Sequence, residues 1–188
     1  MNGSWSKKLG SMRDYDNMAA GYDAQYEKEQ VEKFEVALHS LSLDSNAVIL
    51  DVGCGTGLLL KKLAKTARLV VGVDFSKAMV MRARERLRLF LNVLLIRADS
   101  DFLPLRKDVF THVFAITLLQ NMPKPRVTLR ELMRVIRDKG FIVFTGLKKN
   151  FTLNDFETLI KRSGLRQRSL VDREEVKDYV AVCQRLRQ

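Results

Sequence analysis

Cysteine and histidine are scarce in this chain of 188 residues, with two of each. Cys54 and Cys183 are too few for a disulfide framework and form no metal-ligand spacing, so no metal is expected. His39 lies on an apolar helical stripe and His112 inside an apolar strand. A lone histidine in such a place is more often structural than catalytic. Apolar runs long enough to span a bilayer are missing, and residues 1–9 lack the core of a secretory signal. The expectation is a cytoplasmic protein with no membrane partner. Repeats and low-complexity segments are also absent. Acidic residues are in deficit: 22 Asp+Glu stand against 33 Lys+Arg, a formal net charge of +11. That balance suits an anionic partner such as nucleic acid, or else only a charged, solubilising surface. An apolar content of 46% at this length suits one globular domain with a sizeable core.

What the chain does have is a glycine turn. Residues 47–50 form an apolar run of strand length, and Asp51 brings a carboxylate to its carboxyl end. Gly53, Gly55 and Gly57 follow at alternate positions, and residues 58–64 resume an apolar pattern at helical spacing. Strand, glycine turn and helix open a nucleotide-binding α/β unit, where glycine admits a ligand close to the backbone and supplies positive φ. A second apolar run, 69–73, ends on Asp74, which is placed to accept hydrogen bonds from both hydroxyls of a ribose. Dinucleotide sites use G-x-G-x-x-G, whereas the spacing here is G-x-G-x-G with Leu58 in the third-glycine position. Asp51, just before the loop, would repel a pyrophosphate and favours a ligand carrying ammonium and sulfonium charge.

The flanking chain reads as alternating helices and strands. Residues 1–14 are polar and are expected as a mobile N-terminus. Tyr15, Tyr22 and Tyr26 mark a following helical segment, and residues 31–41 carry a helical apolar stripe. After the second strand, Ser76 can cap a helix over 77–89, whose arginines at 82, 84, 86 and 88 read as a solvated surface. Strand three, 93–98, is almost wholly apolar at Val93, Leu94, Leu95 and Ile96, and it leads to Asp99 and Ser100. Strand four, 110–117, is followed by Leu118, Leu119, Gln120, Asn121 and Met122 at its carboxyl end, where ligands of open parallel sheets sit. The spacing then predicts a helix over 126–137, with Arg126, Arg130, Arg134 and Arg137 as one basic stripe. A strand at 140–146, a helix at 151–163 and an antiparallel strand pair, 165–171 and 179–186, complete the chain.

Residues 50–57, Leu-Asp-Val-Gly-Cys-Gly-Thr-Gly, resemble motif I of the class I S-adenosylmethionine-dependent methyltransferases, and 72–76 resemble their next motif. The Tyr22-Asp23 pair resembles a segment of the small type 11, ubiquinone-biosynthesis-like group, in which it folds over the cofactor as a lid. The resemblance covers 15–188 and implies one α/β domain. Residues 15–41 would form an N-terminal lid helix and 47–188 a Rossmann-like core. The implied sheet has seven strands in the order 3-2-1-4-5-7-6, the last strand antiparallel, with helices on both faces. The implied cofactor is S-adenosylmethionine. Gly53, Gly55 and Gly57 would contact its amino-acid part, with Cys54 a small residue beside them, and Asp51 would hold its amino group. Asp74 would take the ribose hydroxyls, Phe75 the adenine face, and Asp99 and Ser100 the adenine edge. Thr117 and Leu118 would lie beneath the sulfonium, and Tyr22 would cover the cofactor. No general base stands out; Tyr22, Gln120 and Asn121 are the acceptor-side candidates.

Position 120–123 lacks the Asn/Asp-Pro-Pro-aromatic motif of the amino-methylating branch, which leaves the acceptor atom open. The connection after strand five is short, which suggests an open cleft. With the positive charge, this favours RNA or another component of the translation machinery as acceptor, through Arg126, Arg130, Arg134 and Arg137. Some relatives of this kind need an activating subunit. The apolar edge strand from Val93 to Ile96 offers such a protein, or a second copy of the chain, a place to pair. The alternatives are a small-molecule methyltransferase that uses the N-terminal segment as lid, and a non-enzymatic cofactor-binding regulatory subunit.

Overall fold

The computed structural model describes residues 3–186. Two helices come first, α1 (Gly3–Met18) and α2 (Tyr22–His39). Then β1 (Val48–Val52), α3 (Leu58–Leu63), β2 (Leu69–Asp74), α4 (Lys77–Leu87) and β3 (Val93–Arg97) alternate. β4 (Phe110–Ala115), a 3-10 turn (Leu119–Asn121), α5 (Pro125–Val135) and β5 (Ile136–Leu147) follow. α6 (Leu153–Ser163), β6 (Arg166–Val171) and β7 (Asp178–Gln184) close the fold.

The strands form one seven-stranded sheet in the order β3-β2-β1-β4-β5-β7-β6. β1 to β5 run parallel, and β7 pairs antiparallel with both β5 and β6. This is the expected order and sense. Central strands of such a sheet are covered on both faces and read as continuous apolar runs; every residue of β4 is buried. One face packs Leu50 and Val113 against Leu129 and Leu132 of α5 and Phe156 and Ile160 of α6. The other packs Ile49 and Val70 against Phe34 of α2, Leu60 of α3 and Ala83 of α4.

Local chemistry fixes several boundaries. Ser76 accepts a hydrogen bond from the Met79 amide at 3.1 Å and starts α4. Thr152 caps α6 through the Asp155 amide, and Gly164, at φ 76°, ends it. Two expectations need correction. Of residues 1–14, read as a mobile N-terminus, 3–14 form most of α1, where Lys8 finds Asp99 and Asp101 far along the chain, and residues 1–2 lie outside the described residues. The predicted helix over 126–137 stops at Val135, because Ile136 already pairs with Phe110 in the sheet. His112 is buried in β4, where its ring stacks on Phe141 at 5.8 Å. Burial and the charge of Arg137 push its pKa down to about 4.

Candidate active site

The carboxyl ends of β1, β2 and β4 converge on one cavity, as the doubly wound topology requires. β1 delivers Asp51, which is 3% exposed. The chain then turns through Gly53, Gly55 and Gly57 at φ 78°, 54° and 80°, all in the left-handed region that other residues rarely adopt. The turn is bolted to β2: the amides of Gly53 and Cys54 donate to the Val73 carbonyl at 2.7 and 3.0 Å. The carboxylate of Asp74 accepts from the amides of Gly55 and Ser76, both at 2.8 Å.

Asp51 and Asp74 give the cavity its electrostatic character. No lysine or arginine among the described residues forms an ion pair with either. Burial, and then the charge of Asp74, pushes the Asp51 pKa up to about 8. Burial also raises Asp74, against the lowering effect of its backbone hydrogen bonds. A buried and a half-buried carboxylate without a counter-ion form a cradle for a positively charged ligand. Cys54 is buried beside them. Burial and both carboxylates hold its thiol well above the usual range, so it stays a neutral packing residue and not a nucleophile.

The connection after β4 contributes Thr117 and Leu118. Thr117 holds φ 58°, a conformation that costs a residue with a side chain roughly 1–2 kcal/mol. Three contacts fix it. Its amide donates to Thr145 Oγ1 at 2.8 Å, its hydroxyl donates to Gln30 at 3.2 Å, and Lys33 donates to that hydroxyl at 3.2 Å. Asn121 Nδ2 donates to the hydroxyl of Tyr15 at 2.9 Å and to the carbonyl of Thr117 at 3.0 Å.

Helices α1 and α2 cover the cavity, with Tyr15, Tyr22, Gln30 and Phe34 in its wall. Several polar latches hold them down. Lys8 pairs with Asp99 at 2.7 Å and with Asp101 at 2.5 Å. Asp16 accepts from the Ser76 hydroxyl at 2.5 Å and from the Ala78 amide at 3.0 Å. Asp23 accepts from Thr56 Oγ1 at 2.6 Å and pairs with Arg86, which also donates to the Thr56 carbonyl at 2.7 Å. Lys33, fully buried, bonds the fully buried Asp178 at 2.6 Å and Glu29 at 2.9 Å. Trp5 meets the Phe75 ring edge-on at 5.9 Å between centroids.

Most residues singled out in the sequence therefore line one cavity: Tyr22, Asp51, Gly53, Cys54, Gly55, Asp74, Phe75, Asp99, Ser100, Thr117, Leu118 and Asn121. Two do not. Gly57 serves as the N-cap of α3, packed so closely on α4 that an added Cβ would come within 2.9 Å of Leu87. Gln120 lies outside the cavity wall, with its Oε1 buried and without a hydrogen-bond partner. Asp99 is engaged by Lys8, a contact nothing in the sequence indicated. Lys8, Asp16, Lys33 and Arg86 were missed because a charge pattern does not reveal partners so distant in sequence; only Asp23 carried a signal, in the Tyr22-Asp23 pair. The single arginine stripe is also corrected. Arg137 lies on β5, and Arg134 is held by Glu131 at 2.8 Å and by the carbonyls of Leu103 and Leu105. Arg126 and Arg130 remain exposed on α5.

Comparison with known proteins agrees with this geometry. Residues 50–144 match the family described as "Methyltransferase domain". The chain belongs to that family. Its cofactor is S-adenosylmethionine, and the uncompensated Asp51 and Asp74 and the open glycine turn fit that cationic ligand. The chain is 31% identical over 148 residues to malonyl-[acyl-carrier protein] O-methyltransferase of Marinomonas sp., covering 78% of this chain and 54% of that one. It is 30% identical over 139 residues to demethylmenaquinone methyltransferase of Staphylococcus aureus, covering 70% and 57%. The chain thus spans about half the length of the curated relatives it matches. A solved chain from the complex between the Haloferax volcanii Trm112 methyltransferase activator and a methyltransferase superposes with a TM-score of 0.81 at 18% identity, over 92% of this chain and 98% of that one. An S-adenosylmethionine-dependent methyltransferase from Aquifex aeolicus gives 0.77 at 19% identity, over 90% and 97%. Likeness at that identity speaks for the fold alone.

Proposed function

We propose that the chain transfers a methyl group from S-adenosylmethionine to RNA, and that a partner protein docks along its edge strand. One observation carries the transfer: the buried carboxylate of Asp51 and the half-buried one of Asp74, unmatched by any described cation, on either side of the glycine turn. When bound, S-adenosylmethionine supplies an electrophilic methyl on a sulfonium. Asp51 would hold its ammonium and Asp74 its ribose, with Gly53 and Gly55 admitting the ligand close to the backbone. Phe75, Ser100, Thr117 and Leu118 line the same wall and would enclose it.

The chain's own contribution is alignment and exclusion of water. Tyr15 and Tyr22 stay protonated at neutral pH, because burial raises both phenols, so neither acts as base. Neither histidine lines the cavity. Asn121, held by Tyr15 and by the Thr117 carbonyl, is the polar side chain positioned to orient an incoming nucleophile.

The RNA reading rests on the continuity of the cavity rim with a basic surface. Asn121 and Met122 line the cavity, and the same connection runs through Lys124 into α5 with Arg126 and Arg130. A small acceptor is the second reading, favoured by the cover that α1 and α2 make over the cavity. For the partner, β3 is an edge strand with Leu94 exposed, and Leu89, Leu91 and Phe102 are exposed near it. An apolar edge of this kind favours strand addition. The structural neighbour solved with an activator supports the same idea. No helix among the described residues is long and apolar enough to cross a membrane.

The test is transfer of radiolabelled methyl into fractionated cell extract, with Asp51→Asn as the inactive control. Nuclease-sensitive label is the expected result. Label in small molecules or in protein, with RNA unlabelled, would overturn the RNA reading.

A further inference from the structure

Three arginines of the expected stripe, Arg126, Arg130 and Arg134, share a cleft with arginines from elsewhere in the chain. α5 packs beside α6, and between them lies a cleft of about 580 Å³. Arg126, Arg130 and Arg134 from α5, Arg162 from α6 and Arg185 just beyond β7 line it. Five arginines thus line one depression from three parts of the chain.

The five divide into two sets. Arg134 is clamped by Glu131 and two backbone carbonyls, and Arg185 by Asp108, by Asp138 at 3.6 Å and by the Met133 carbonyl at 3.0 Å. These two are committed to structure and build the cleft wall. Arg126, Arg130 and Arg162 are exposed and pair with no carboxylate among the described residues. Like charges are therefore held together around the cleft without local neutralisation, an arrangement that favours an anionic ligand with several charges. Guanidinium groups suit phosphate oxygens in particular, since each can donate two parallel hydrogen bonds.

We infer that the α5–α6 cleft binds the sugar-phosphate backbone of the RNA acceptor, with Arg126, Arg130 and Arg162 as the phosphate contacts. The inference rests on the RNA reading above. It explains how a cavity covered by α1 and α2 can serve a large substrate: the strand is held outside and only the target group reaches the rim at Asn121. α5 is about 16 Å long at 1.5 Å per residue over its 11 residues, so the held phosphates lie a few nucleotides from the target. Contacts of this kind position the strand and carry no sequence information.

The experiment measures fluorescence anisotropy of a labelled single-stranded RNA with the full chain over a range of salt. Arg126→Glu, Arg130→Glu and Arg162→Glu are made singly and together. A control carries the same charge change on α4 and at its C-cap, as Arg82→Glu, Arg84→Glu and Arg88→Glu. Binding of S-adenosylhomocysteine and the thermal midpoint report that each variant is folded. Each cleft reversal is expected to weaken RNA binding roughly tenfold at low salt, and the triple variant to lower the salt slope by about two to three. The control should lose much less. RNA binding that responds equally to both triples overturns the cleft and leaves the RNA reading standing. A wild-type chain that binds S-adenosylhomocysteine but no RNA overturns both. Binding of anionic vesicles through the same arginines, without RNA binding, assigns the cleft to a membrane surface and also overturns the inference.

Discussion

Asp23 of α2 and Arg86 of α4 form an ion pair over Thr56 of the glycine turn, and both also bond that threonine. The cover is thereby tied to the loop that lines the cavity. Removing one partner leaves a partly buried charge unpaired, at roughly 1.5–3 kcal/mol. Arg86→Ala and Asp23→Asn should each weaken S-adenosylhomocysteine binding about tenfold, and the double variant should lose little more than either alone. Isothermal titration checks both; additive losses would separate the two residues.

Asp51 makes binding depend on pH. Its pKa in the folded chain is about 8, above the ordinary carboxylate value of 3.8. The folded state therefore holds more protons than the unfolded state between these values. The stability contributed by this group is full below about pH 4 and is lost as pH rises through 8. The ammonium of S-adenosylhomocysteine needs the ionised carboxylate, so its affinity should rise up to pH 8 and binding should release a proton below it. Calorimetry in buffers of different ionisation enthalpy reads that proton, and Asp51→Asn should abolish its release.

Lys33 and Asp178 are both fully buried. Lys33→Met strands Asp178 and should cost about 3–5 kcal/mol of stability. Adding Asp178→Leu should restore much of the loss. Urea denaturation of the single and double variants measures the coupling.

Lys8 ties α1 to Asp99 and Asp101, and Trp5, the one tryptophan of the chain, lies beside Phe75 at the cavity rim. Lys8→Met should speed S-adenosylhomocysteine dissociation several-fold, followed by Trp5 fluorescence in stopped flow. An unchanged rate would mean that α1 does not gate the cavity.

The glycine turn, both carboxylates and the strand order were legible in the sequence because each depends on a short motif or on a family resemblance anchored in one. The cover was only half legible. α2 announced itself through Tyr22-Asp23 and an apolar stripe, whereas α1 has a weak apolar face and is held by Lys8 and Asp16, whose partners lie some sixty to ninety residues away. Arg137 was misplaced because arginine is equally at home on a helix and on an exposed strand end. What decided the matter was Ile136 pairing with Phe110, a contact beyond any local window. The arginine cleft escaped for the same reason: α6 and the end of β7 meet α5 only in the folded chain.

The Lys33–Asp178 pair also constrains the order in which the chain can mature. α2 leaves the ribosome early with Glu29 beside its buried ammonium, but the second partner, Asp178, comes only with β7, almost at the other end of the chain. At roughly 5–20 residues per second, that is a delay on the order of ten seconds. During it the glycine turn and the first four strands can form, and Lys8, Asp16 and Asp23 can reach their partners, while the β7 side of α2 stays unpaired. A nascent chain stalled before β7 would leave exposed the face of α2 that packs on Val180 and Val182, a state that chaperones can recognise and that docking on the finished sheet ends.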